Sequence, residues 1–375
     1  MKIVIAMDSF KGSLSSLEAG RAVRDGILQA KPDAQILLRP LSDGGEGLTD
    51  ALNEGLGGER ICVTVSGPLG EAVNAHYAWI EESRTAVMEM AAAAGITLEK
   101  TKNPLRSTTR GVGEMILDAL GRGAEDFIIG IGGSATSDGG IGMLQTLGWK
   151  MRREDGMDAG EGAQALSRIA AIVPPDQEML SRYARCRFRI ACDVTNPLCG
   201  PQGATCIYGP QKGVTKEMTA PLDEAMSHYA DVTADALGHD LRDVPGAGAA
   251  GGLGFAFVSF LNAQLFPGAE LVMDAVGLKE TLSGADYLVT GEGRLDTQTA
   301  MGKAPLRAAR AAKRCGARVI AFAGSAAPDA AVLNEAGIDA FFPILQAPCT
   351  TEEAMEPARA RENLTTAAEQ VFRLL

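Results

Sequence analysis

Short apolar runs that break abruptly into glycine- and carboxylate-rich turns recur along this chain, and most are followed by apolar residues at helical spacing. Residues 1–7 (MKIVIAM) run into Asp8-Ser9-Phe10-Lys11-Gly12-Ser13, and residues 36–41 into Ser42-Asp43-Gly44-Gly45-Glu46-Gly47. Residues 127–131 open into Gly132-Gly133-Ser134, 188–192 into Asp193, 287–290 into Gly291-Glu292-Gly293, and 319–322 into Gly324-Ser325. Runs this short, without polar alternation, fit buried strands of a sheet covered by helices on both faces. The pattern therefore predicts an α/β protein. In such sheets ligands sit just beyond the carboxyl ends of the strands, so the turns are where chemistry is expected.

Residues 287–305 (YLVTGEGRLDTQTAMGKAP) are the densest of these stretches. A strand ends at Thr290, and a dozen residues then bring Arg294, Asp296, Gln298, Thr299 and Lys303. Leu306, Ala309 and Ala312 resume a helical face, with Arg307, Arg310 and Arg314 on the wet side. The first turn is similar in kind. Ser15-Ser16-Leu17-Glu18 has capping-box spacing, and Ala19, Ala22, Val23, Gly26 and Ile27 follow one helical face until Pro32. Lys11 thus precedes the positive end of a helix dipole, which favours an anion there.

At 375 residues the chain exceeds one ordinary core, which suggests two domains. Between residues 61 and 89 three β-rich segments are separated only by turns at Gly70 and at Glu81-Glu82-Ser83-Arg84. That spacing predicts an antiparallel meander and places a boundary near residue 60. Residues 151–187 show no clean periodicity and are expected to be peripheral. A long helix is expected over 217–238 and another over 255–265. Ser-Asp-Gly-Gly occurs at both 42–45 and 137–140, as if one loop solution were used twice.

The charge balance of 35 basic against 47 acidic residues, −12 net, argues against a nucleic-acid partner, where phosphate neutralisation dominates binding. No apolar run reaches the length of a membrane span, and the first residues turn acidic too early for a signal peptide, so a cytoplasmic protein is expected. The seven cysteines form no Cys-x-x-Cys pair, and the three histidines lie far apart. Proton transfer and metal binding therefore fall to Asp, Glu and Lys. Gly246-Ala247-Gly248-Ala249-Ala250-Gly251 has G-x-G-x-x-G spacing but follows Pro245 rather than a strand, so it is not read as a dinucleotide fingerprint.

Gathered at predicted strand ends are Ser9 and Lys11, Asp43, Gly132, Gly133 and Ser134, Asp193, Arg294, Asp296 and Lys303, and Gly324 and Ser325. Cations to neutralise phosphoryl oxygens, carboxylates to hold Mg²⁺ or orient a hydroxyl, and small residues that leave backbone N–H groups free are what phosphoryl transfer requires. Hydride transfer lacks its cofactor fingerprint, and a nucleophilic triad lacks a histidine.

At these same residues the chain resembles the bacterial glycerate kinases: AMDSFKGSLSS at 6–16, PLSDGGEG at 40–47, GIGGSATSDGG at 130–140 and TGEGRLDTQTAMGKAP at 290–305. The resemblance implies ATP-dependent phosphorylation of (R)-glycerate to 2-phosphoglycerate, with Mg²⁺, in a monomer or homodimer. It also implies two α/β domains with the active site in the cleft between them. One is a discontinuous Rossmann or restriction-enzyme-like domain, expected over 1–60 plus 271–375, and the other an inserted flavodoxin-like domain over 61–270. Lys11, Asp193, Asp296 and Lys303 are then expected to be catalytic, and Ser9 and Arg294 to hold glycerate. Gly132, Gly133, Ser134, Gly324 and Ser325 would face ATP, and Asp43 would hold the metal. Alternatives are a glycerate 3-kinase, a non-catalytic hydroxy-acid binding protein, and a nicotinamide-dependent oxidoreductase using residues 246–251.

Overall fold

The structure is a computed structural model describing residues 1–300 and 302–375, with the side chain of Gln298 also outside the description. The strands in chain order are β1 (Lys2–Met7), β2 (Gln35–Leu38), β3 (Glu59–Ser66), β4 (Ala72–Ile80), β5 (Thr85–Glu89), β6 (Asp126–Gly130), β7 (Lys150–Arg152), β8 (Ala171–Val173), β9 (Arg187–Ala191), β10 (Gln264–Phe266), β11 (Tyr287–Leu295), β12 (Arg318–Ala326) and β13 (Ala340–Pro343). They belong to two compact units. One comprises Met1–Asp43, Asp50–Gly58 and Ala269–Leu375; the other comprises Gly44–Thr49 and Glu59–Gly268.

The first unit is built on a five-stranded, wholly parallel sheet of order β13-β12-β11-β1-β2. Its central strands are buried on both faces, which explains why their sequences read as unbroken apolar runs. Helix Ser16–Ala30 starts with the predicted capping box: the Ser15 hydroxyl accepts from Glu18 N, and the Glu18 carboxylate accepts from Ser15 N. Its Ala19, Ala22, Val23 and Ile27 pack into the core. Helix Pro357–Leu374 lies against it so closely that a Cβ at Gly26 would stand 2.1 Å from the Thr365 carbonyl oxygen, and only glycine fits.

The second unit has a six-stranded mixed sheet of order β10-β9-β6-β5-β4-β3. β3, β4 and β5 form the antiparallel meander that the turn spacing predicts, and β5, β6, β9 and β10 run parallel. Phe127 and Phe188 stack at 4.8 Å between neighbouring strands β6 and β9. At the start of β6, nearly buried Asp126 accepts two hydrogen bonds each from Arg187 and Arg189. The architecture is thus α/β, with one parallel sheet, one mixed sheet and a two-stranded antiparallel ribbon of β7 and β8.

Three expectations need correction. Residues 151–187 are not simply peripheral: Met151, Leu166 and Ile169 are fully buried in the second core. The three-residue strands β7 and β8 and the 3₁₀ helix Ala163–Arg168 are too short to display a period. The helix expected over 255–265 ends at Phe260, its regular turns begin only after Ala250, Gly251 and Gly252, whose positive φ breaks the helical path, and the residues after it form β10 beside β9. Lastly, β11 and β12 do not stop at Thr290 and Phe322 but continue to Leu295 and Ala326, pairing Glu292 with Ala323 and Arg294 with Ser325. Among the described residues, no strand feeds the glycines at 246–251, and no helix is long and apolar enough to cross a membrane.

Candidate active site

In the first unit the carboxyl ends of β1, β11 and β12 are adjacent, because Met7 pairs with Gly291 and Gly291 with Phe322. Gly291 permits this: a Cβ there would stand 1.9 Å from the Phe322 carbonyl oxygen. Beyond these ends opens a cavity of about 740 Å³, lined by Ser9, Lys11, Asp43, Arg294, Asp296, Lys303, Gly324 and Ser325, all of them expected from sequence. Phe10, Ile344, Leu345 and Met355 give it an apolar side.

Its charges are arranged in pairs. Lys11 Nζ lies 3.5 Å from Asp43 Oδ2, and this neighbour, above all, lifts the lysine above its ordinary value. Lys303 Nζ lies 3.5 Å from Glu292 Oε2, and Arg294 Nε 3.8 Å from Asp296 Oδ2. Arg294 is largely exposed, leaving its guanidinium fork open to solvent. The Asp296 carboxylate accepts from Thr299 N at 3.2 Å, closing the turn into the next short helix.

Sequence reasoning missed two carboxylates here. Asp8 lines the cavity, is 5% exposed, and accepts from Ser9 N at 2.7 Å. Burial, then the charge of Asp43, lifts it to about 7 against the opposing pull of the Ser9 hydrogen bond. Glu292 is 8% exposed and is also raised, chiefly by burial, while Thr299 and Lys303 pull it down. The available signal was position: Asp8 is the first polar residue after an apolar strand.

In the second unit, Gly132, Gly133, Ser134 and Asp193 line a cavity of about 380 Å³ together with Lys212, Tyr208 and Gln211. Asp193 Oδ1 accepts from Gly268 N at 2.9 Å. Gly133 has φ +71°, a left-handed conformation in which most side chains would be strained. The Ser-Asp-Gly-Gly phrase behaves differently in its two copies. Asp138 is fully buried and accepts from Thr109 N, Thr109 Oγ1, Gly140 N and Gly142 N, whereas Asp43 lies on the cavity beside Lys11. The repeat is one of sequence, not of role.

A parallel sheet whose strand ends bring paired cations and carboxylates to one cavity defines a phosphotransferase-like α/β protein. The glycerate kinase family model matches residues 3–375, and the chain belongs to that family. It is 47% identical over 360 residues to glycerate kinase of Bacillus subtilis (strain 168), covering 96% of this chain and 94% of the relative. It is 46% identical over 361 residues to glycerate 2-kinase of Escherichia coli (strain K12), with the same coverage. A crystal structure assigned as glycerate kinase 2 from Salmonella typhimurium LT2 superposes with TM-score 0.90 at 45% identity, over 99% of this chain and 97% of that one.

Proposed function

We infer that this chain is a glycerate 2-kinase, transferring the γ-phosphoryl group of ATP to the 2-hydroxyl of (R)-glycerate to give 2-phosphoglycerate and ADP. The observation that carries this is near-full-length similarity to a glycerate 2-kinase in a chain whose first unit gathers Lys11, Lys303, Arg294 and Asp296 around one cavity. Lys11 and Lys303 neutralise charge on the transferring phosphoryl group. Arg294 presents its fork to the glycerate carboxylate, with the Ser9 hydroxyl as a further donor. Asp296 orients the attacking hydroxyl. It is preferred to Asp193 because it lines the same cavity as Arg294.

The donor set fits Mg²⁺, which takes hard oxygen ligands and keeps several waters and phosphate oxygens. Among the described residues no three His, Cys, Asp or Glu side chains form a dedicated metal cage. Such a cation would be held by one or two carboxylates, Asp43 first and Asp8 or Glu292, which line the same cavity, beside it. When bound, it would neutralise charge on the nucleotide phosphates. Gly324 and Ser325 line the same cavity and would face ATP, while the Gly132, Gly133 and Ser134 backbone would face phosphate in the second unit. The first unit is read as the discontinuous Rossmann or restriction-enzyme-like domain (1–60 plus 271–375) and the second as the flavodoxin-like one (61–270). Support comes from the first unit's sheet, whose strands come from both ends of the chain.

The test is incubation with ATP, Mg²⁺ and (R)-glycerate, with the product identified by phosphorus NMR. A single 2-phosphoglycerate resonance is expected. The 3-phosphorylated isomer would overturn the regiochemistry, and glycerate binding without turnover would favour a binding protein.

A further inference from the structure

Lys212, in the second unit, is a buried lysine with no role in the phosphoryl transfer described for the first unit. It ends the 3₁₀ turn Pro210–Lys212 and is 1% exposed, although lysine is almost never buried unless paired. Its ammonium donates one hydrogen bond, to the Thr136 carbonyl oxygen at 2.5 Å, and among the described residues it has no carboxylate within ion-pair distance. A protonated amine has three hydrogens to donate, so two lack an acceptor. The side chain also lines the roughly 380 Å³ cavity bounded by Gly132, Gly133 and Ser134. A methionine would fill the same volume at no electrostatic cost if packing were all that mattered.

We propose that Lys212 is the charged contact for a phosphate group bound in this cavity, completing the cradle begun by the Gly132, Gly133 and Ser134 backbone. This rests on the reading that those residues face phosphate. The ligand chemistry is a phosphate oxyanion, carried either by the nucleotide or by the phosphoglycerate product. The groups that act on Lys212 are Asp138, from the turn before helix Ile141–Thr146, and Glu99, while Asp193 lines the same cavity. Desolvation outweighs both and lowers the free amine to about 7. An arriving oxyanion supplies acceptors for the two open donors and favours the charged form. Binding above neutral pH therefore takes up a proton.

The experiment is isothermal titration of the full chain at about pH 8.5, where these phosphates are fully ionised, in two buffers of different ionisation enthalpy. A non-hydrolysable ATP analogue with Mg²⁺ and 2-phosphoglycerate are titrated separately, against wild type, Lys212→Met and Gly133→Ala. Uptake of close to one proton with one ligand identifies the source of the phosphate. Lys212→Met should weaken that ligand about tenfold or more and abolish the uptake. The wild-type proton count does not depend on any variant folding, and its absence for both ligands overturns the proposal. Weakening by Gly133→Ala but not by Lys212→Met would leave the cavity as a phosphate site and remove Lys212 from it. No effect from either variant would overturn the underlying reading as well.

Discussion

The Thr299 hydroxyl donates to Glu292 Oε1 at 2.7 Å, while Lys303 stands 3.5 Å from the other oxygen of the same carboxylate. A buried strand residue is thereby linked to the cation that would meet the phosphoryl group. Thr299→Val leaves Oε1 without this donor in a nearly dry position, at a cost of about 1–3 kcal/mol. Urea unfolding should show that loss, and turnover should fall with it. Unchanged stability and turnover would mean that the link does not position Lys303.

Lys11→Met and Asp296→Asn test the transition-state contacts. Each should lower kcat on the order of a hundredfold. The Lys11 side chain is 67% exposed, so its replacement should shift unfolding by no more than about 0.5 kcal/mol. Full turnover in a folded variant would remove that residue from the catalytic set.

Arg294→Lys keeps the charge and loses the planar fork. The glycerate KM should rise by about tenfold with the ATP KM little changed. A rise confined to ATP would reassign Arg294 to the nucleotide.

The two Ser-Asp-Gly-Gly phrases should separate under mutation. Asp138→Ala strands the Thr109, Gly140 and Gly142 amides inside the second unit and should cost about 3 kcal/mol or more by urea denaturation. Asp43→Ala should spare stability and reduce turnover. Equal destabilisation by both would contradict the difference in role.

Burial of Lys212 makes stability depend on pH. Unfolded, the amine titrates at the ordinary 10.5; folded, at about 7. Between those values the unfolded chain carries the extra proton. Wild-type stability should therefore rise relative to Lys212→Met as pH climbs through that window, by up to about 1.4 kcal/mol per unit. Below pH 7 both states are protonated and the difference should level off at its least favourable value. Parallel curves for the two proteins across the window would show that the amine is not held neutral.

Much of this architecture was readable from the residues. Apolar runs marked β1, β6, β9 and β11, and Ser15 with Glu18 marked a helix start, because those signals are local. Two flanking glycines make Glu292 read as part of a turn. Pairing with β12 keeps it in a strand, and no local pattern encodes that partner. Asp8 carries no local signal that sets it above Ser9 and Lys11, since the burial and the nearby Asp43 and Glu292 that raise it arise only on folding. Lys212 sits in a Pro-Gln-Lys-Gly turn that reads as exposed. Only the packed second unit reveals that it is enclosed.

The position of β1 between β2 and β11 has a consequence for biosynthesis. Ile3 pairs with Tyr287, about 280 residues later, so the first strand to leave the ribosome must wait for just over three quarters of the polypeptide before its sheet can close. The second unit is almost entirely one continuous segment and can fold during that delay. Chaperone dependence and aggregation in nascent chains should accordingly concentrate on the waiting N-terminal β-strand and helix.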